Sequence, residues 1–133
     1  MEVTERYFFP KSERLCLKKD IDRLFTDGQS FVSYPLRILY LPDDGDLSSS
    51  PGISVFISVP KKRIRHAVRR NRIKRLIREA HRLNKNEISG LCKQKGIQLY
   101  VACIYICNEM KTFASIEKAM LKAMNIIRRK ENL

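Results

Sequence analysis

The chain has 133 residues, enough for one domain with a real core and too few for two. Its apolar fraction of 44% is ordinary, which argues against global disorder. A formal net charge of +13 points to a polyanionic partner and away from an acidic or charge-balanced surface.

Residues 1–13 are expected to be extended or mobile, with Tyr7, Phe8 and Phe9 the anchors before Pro10. The spacing of Ile21, Leu24 and Phe25 predicts a first helix over Lys18–Thr26, with Gly28 as its stop. Phe31–Leu41 is rich in β-branched and aromatic residues and reads as a strand interrupted by Pro35. Pro42–Pro51 is a loop of turn formers and acids. Gly52–Val59 alternates, so that Ile53, Val55, Ile57 and Val59 face one way while Ser54, Phe56 and Ser58 face the other.

Residues 60–66 lead into a helix expected over about Val68–Leu83. Asn84–Lys95 can hold a further short helix before Gly96, and Ile97–Cys107, apolar on both faces, reads as a central strand. Thr112 is placed to cap a last helix, in which Phe113, Ile116, Met120, Ala123, Met124 and Ile127 keep helical spacing. The expected architecture is α+β. It is a two-layer sandwich of three main helices on a mainly antiparallel sheet of about four strands, with a strand–helix–strand crossover over residues 52–107. The whole chain is expected to form a single RNA-binding domain.

The charge is concentrated. Lys61–Arg82 holds eleven Lys or Arg and one acid, Glu79. On a helical wheel Ile73, Leu76, Ile77, Ala80 and Leu83 form an apolar stripe, and Arg70, Asn71, Lys74, Arg75, Arg78 and Arg82 fall on the opposite arc. The like-charged pairs Arg70/Lys74, Lys74/Arg78 and Arg78/Arg82, four residues apart, each cost a few tenths of a kcal/mol. A merely solvated face would mix signs. The missing countercharge is therefore assigned to a nucleic acid, with Lys61, Lys62, Arg65 and Arg72 extending the surface.

No set of side chains for catalysis stands out. His66 and His81 lie fifteen residues apart with no paired carboxylate near either in sequence, and both read as extensions of the basic surface. Cys16, Cys92, Cys103 and Cys107 form no CxxC pair, and Cys103 and Cys107 read as buried small hydrophobes. No metal site and no phosphate-cradling glycine loop is expected. No apolar run is long enough for a signal peptide or a membrane span, so a cytoplasmic setting without a membrane partner is expected. Base reading in a DNA groove wants Asn or Gln beside a coupled second helix. Here Arg and Lys dominate the outer face, a pattern suited to phosphates and to the shape of RNA.

The run Ala67–Glu79, with Arg70, Asn71, Lys74, Arg75 and Arg78 in the pattern RNxxKRxxR after Val59, Lys61 and Lys62, resembles the signature of the bacterial ribonuclease P protein subunit. Arg14, Leu15, Phe25 and Gly28 fit the same family's N-terminal pattern, and the resemblance spans roughly residues 14–128. The chain departs from it at Phe56, where a glycine is common, at Pro60, where a small polar residue is common, and at Ile21, where an aromatic often stands.

The resemblance implies the accessory protein of an endoribonuclease whose catalytic RNA removes the 5′ leader of precursor tRNA with Mg²⁺ held mainly by that RNA. It implies the catalytic RNA and precursor tRNA as partners, no obligate protein partner and no catalytic side chain here. It also implies a left-handed crossover, against the general right-handed rule. Asn71 suits either an RNA contact or a backbone tie. A leader cleft between the first helix and the sheet would draw on Arg14, Phe25, Tyr40 and Phe56, although Phe25 and Tyr40 suit the core equally well. A ribosomal or RNA-chaperone protein is the alternative reading of the same charged helix, and a DNA-binding regulator is a third.

Overall fold

The computed structural model describes residues 18–43 and 52–133. The readings on residues 1–17 and on the acidic loop 44–51 lie outside this range. The element order is α1 (Lys18–Asp27), β1 (Gln29–Ser33), β2 (Leu36–Asp43), β3 (Gly52–Ser58), α2 (Ala67–Asn84), α3 (Asn86–Lys95), β4 (Gln98–Tyr105) and α4 (Phe113–Lys130).

The stretch expected as one strand is a hairpin. Pro35 cannot donate to a ladder, and the chain reverses at Tyr34 and Pro35, so that Ser33 faces Leu36 across an antiparallel pair. The sheet order is β1-β2-β4-β3, with β2 and β4 antiparallel and β3 and β4 parallel. β4 therefore lies between two neighbours, with one face wholly buried and the other, carrying Tyr100 and Ile104, half-buried. The short segment before Gly96 is helical, giving four helices in all among the described residues.

The two sheet faces differ in cover. Leu36, Ile38, Tyr40, Ile53, Val55, Leu99, Val101, Cys103 and Tyr105 point into a core closed by α2, α3 and α4. α2 contributes Ile73, Ile77 and Ala80, and α4 contributes Ile116, Met120, Ala123 and Ile127. Truncating a wholly buried member such as Ile73 to Ala would cost about 2–5 kcal/mol. On the other face, among the described residues, α1 alone sits over the strands, and Leu24, Leu39 and Ala102 form a small second core.

Local chemistry sets the ends. The Gly28 N–H reaches the Leu24 carbonyl at 2.9 Å. A Cβ at Gly28 would lie 2.4 Å from that oxygen and 3.0 Å from the Tyr40 carbonyl, so only glycine lets the chain pass from α1 into β1 this close to β2. Gly96 closes α3 at φ 70°, in the left-handed region. Thr112 caps α4, its hydroxyl accepting from the Ser115 N–H at 3.2 Å. The last two long helices are tied by Asn84, which donates to Glu117 at 3.0 Å.

Candidate nucleic-acid interface

α2 forms because its apolar stripe repeats with helical period and finds a core. Ile73, Ile77 and Ala80 are wholly buried. Its first turn has no acid. Instead Arg69 and Arg70 stand at the positive end of the helix dipole, where cations are unfavourable. Arg65, Arg69, Asn71, Arg72, Arg75 and Arg78 are exposed, as are Lys61 and Lys62 on the turn before the helix. Lys74 is half-buried.

Two of the expected contact residues have work inside the fold. The half-buried Arg70 guanidinium donates to the carbonyl of Arg65 at 2.6 Å and to that of Ile64 at 3.1 Å. His66 at the N-cap position makes no side-chain cap, so Arg70 takes over the task of fixing the approach. Buried Ile64 pins the same segment to the core. Arg82 donates to Glu79 through Nε at 3.2 Å and Nη2 at 2.5 Å. That hydrogen bond holds the Glu79 carboxyl below its usual range. The free cationic row is thus Arg69, Arg72, Arg75 and Arg78, with Asn71 among them.

Arg63 and Arg69 were not among the candidates. The helical wheel puts Arg69 four residues before Ile73, on the apolar stripe, but the first turn runs past the buried stripe and leaves it exposed. With Arg65 and His66 they line an open pocket of about 420 Å³ against Asn108, Glu109 and Met110.

The second feature lies under α1. Phe25, 46% exposed, meets Phe56 edge-on at 6.3 Å, and the half-buried Ile21, Leu41, Tyr100 and Ile104 surround them. Among the described residues this groove is apolar and partly exposed, a floor on which unstacked bases could lie. Tyr40 is not part of it. It is wholly buried on the opposite sheet face, its hydroxyl donating to Gln29 at 3.0 Å, because residues 36, 38 and 40 all point toward α4. Arg14 lies outside the described residues. Tyr100 was missed because a strand apolar on both sides was expected to be fully covered, whereas α1 shields only part of this face.

His81 also needs correction. It is 1% exposed, inside the core, and burial, with the neighbouring Lys85 charge, lowers its pKa to about 3. It is neutral and adds nothing to the basic surface. Cys92, Cys103 and Cys107 are buried free thiols, and burial pushes Cys92 up to about 11 and Cys103 up to about 12. Among the described residues no three His, Cys, Asp or Glu side chains converge as metal ligands. What the arrangement offers is a row of exposed cations and a separate apolar groove.

The chain matches the family model for Ribonuclease P over residues 9–128. A ribonuclease P protein component of Porphyromonas gingivalis is 41% identical over 114 residues, covering 86% of this chain and 82% of that protein. One from Chlorobium phaeobacteroides is 39% identical, covering 80% and 77%. In structure the chain is similar to the RNase P protein of Staphylococcus aureus, with a TM-score of 0.68 at 23% identity over 89% of this chain and 97% of that one. The Thermotoga maritima RNase P protein gives 0.62 at 27% identity, over 84% and 94%.

Proposed function

The chain belongs to the ribonuclease P protein family, and from that premise we propose that it holds the catalytic RNA along α2 and the 5′ leader of precursor tRNA in the groove under α1. As a ribonuclease P protein component it is one subunit of a ribonucleoprotein endoribonuclease of tRNA processing, working with an RNA subunit and precursor tRNA. The observation that carries the finer reading is the row Arg69, Arg72, Arg75 and Arg78, exposed on a helix whose first turn has no acid.

Cleavage at the leader brings phosphates of two RNAs and Mg²⁺ close together. Cations on α2 lower that mutual repulsion, most strongly where RNA excludes water. In this reading Mg²⁺ is held mainly by the RNA, whose phosphates and bases supply the oxygen ligands a hard cation prefers. The chain's own part is positioning. Leader bases lie on Phe25, Phe56 and Tyr100, at about 1–3 kcal/mol per stacked base. No helix of the described residues is long and apolar enough to cross a membrane.

Reconstitution with a bacterial ribonuclease P RNA tests the proposal. The protein should lower the Mg²⁺ needed for leader removal, and alone it should cleave nothing. No stimulation at low Mg²⁺, or cleavage of precursor tRNA with RNA subunit rigorously absent, would overturn it.

A further inference from the structure

A second cluster of cations lies away from the outer face of α2 and from the groove. Where the β1–β2 turn meets the start of α4, Lys111, Lys118 and Lys122 line an open pocket of about 320 Å³ with Tyr34 and Ser115. That size sits at the low end of ligand pockets, which run from about 300 to 1,000 Å³. Lys118 and Lys122 are one helical turn apart and exposed. None of the three lysines forms an ion pair among the described residues.

Tyr34 gives the pocket its character. A tyrosine 60% exposed at a hairpin turn contributes little to folding. Its ring stands beside a cation, with the Lys111 ammonium 5.6 Å from the ring centroid. An exposed aromatic face beside cations without ion-pair partners is the pairing that single-stranded nucleic acid uses, base on the ring and phosphate among the charges. The nearby carboxylate, Glu109, acts on the Tyr34 hydroxyl end. The pocket also continues the α2 surface, since Asn108, Glu109 and Met110 line the neighbouring pocket of Arg63, Arg65 and Arg69, and Lys111 is the next residue.

We propose that the pocket of Tyr34, Lys111, Lys118 and Lys122 is a second RNA site, which grips one nucleotide of a single-stranded segment passing the N-terminal end of α2. The inference rests on the reading of the chain as an RNA-binding subunit and adds a contact remote from the groove under α1. An acidic peptide would use the lysines but would gain nothing specific from the ring, so RNA is the occupant the geometry favours.

The test is a titration of the isotope-labelled full chain with hexauridylate, with inorganic phosphate and hexaglutamate as controls at equal ionic strength. The variants are Tyr34→Ala, Tyr34→Phe, the pair Lys118→Gln/Lys122→Gln, and the pair Arg75→Gln/Arg78→Gln on α2. Hexauridylate should shift the amide signals of Tyr34, Lys118 and Lys122, in the α2 pair as well as in the parent chain. Tyr34→Phe, which loses the hydroxyl and keeps the ring, should bind within about twofold of the parent if stacking is what counts. Tyr34→Ala should weaken binding at this pocket about 5- to 150-fold, the equivalent of one lost stack. The lysine pair should lower the log–log salt slope by about 1.4, from two single-strand phosphate contacts.

Equal binding of hexaglutamate or phosphate, or an unchanged affinity in Tyr34→Ala, overturns the proposal. Shifts confined to α2 overturn it while leaving the α2 reading intact. No RNA response at either place removes both.

Discussion

The ring of Phe25 on α1 meets that of Phe56 on β3 edge to face, with centroids 6.3 Å apart and planes at 80°. The contact spans the groove between helix and sheet, and it leaves Phe25 nearly half exposed. A buried phenylalanine truncated to alanine costs about 3–5 kcal/mol, and a half-exposed one about 1–2. Phe25→Ala should therefore fold with a modestly lower Tm. It should also reduce the precursor-to-mature tRNA affinity ratio of the assembled holoenzyme by about 1–3 kcal/mol for each stack lost. An unchanged ratio would move the leader site off this groove.

Gly28→Ala tests the same groove through the end of α1. The new methyl would press on two backbone carbonyls, those of Leu24 and Tyr40, which cannot swing aside as a side chain can. Overpacking of this kind costs about 1–3 kcal/mol. α1 should lift from β2, and the precursor preference should fall together with the Tm. A variant with parent stability and parent preference would show that α1 tolerates the shift.

Arginines of the basic helix should separate into two behaviours. Arg70→Ala removes two charge-assisted bonds to the segment before α2 and should lower stability by about 1–3 kcal/mol. Arg70→Lys should recover only part of it, because an ammonium lacks the guanidinium fork. Arg75→Gln should leave the melting curve alone and reduce the salt slope for the catalytic RNA by about 0.7–0.9. Melting curves and salt titrations on the three variants settle the division, and identical behaviour would refute it.

His81 makes stability pH-dependent. Its folded pKa of about 3 lies below the ordinary 6.5, so the unfolded chain binds the proton first. The contribution is complete above about pH 6.5 and is lost as pH falls from there toward 3, at about 1.4 kcal/mol per unit. From pH 7.5 to pH 5 the loss from this group is about 2 kcal/mol. Lys85, the residue joining α2 to α3, adds its charge to the effect of burial. Denaturant unfolding of the parent and of His81→Leu across that range should show a flatter pH profile in the variant, by one proton's worth. Parallel profiles would mean that another group carries the dependence.

Much of this molecule is written in short-range pattern. The stripe of Ile73, Ile77 and Ala80, the alternation that sends Phe56 away from Ile53 and Val55, the stops at Gly28 and Gly96 and the cap at Thr112 all follow from periodicity and capping within a turn or two. The concentration of cations between Lys61 and Arg82 needs no fold to be seen. Even the burial of His81 had a signal, since it stands four residues after Ile77 and eight after Ile73.

Other features depend on contacts between distant segments. β2 is apolar on both faces, with Leu36, Ile38 and Tyr40 on one and Leu39 and Leu41 on the other, so alternation could not say which face takes three helices and which takes α1. Packing of α4 against the first set buried Tyr40 and left the groove to Phe25, Phe56 and Tyr100. Arg70 and Arg75 are the same residue on the same helix. Only the return of residues 60–66 past the start of α2 makes one a structural tie and leaves the other free, because a side chain's role depends on which backbone comes within its reach.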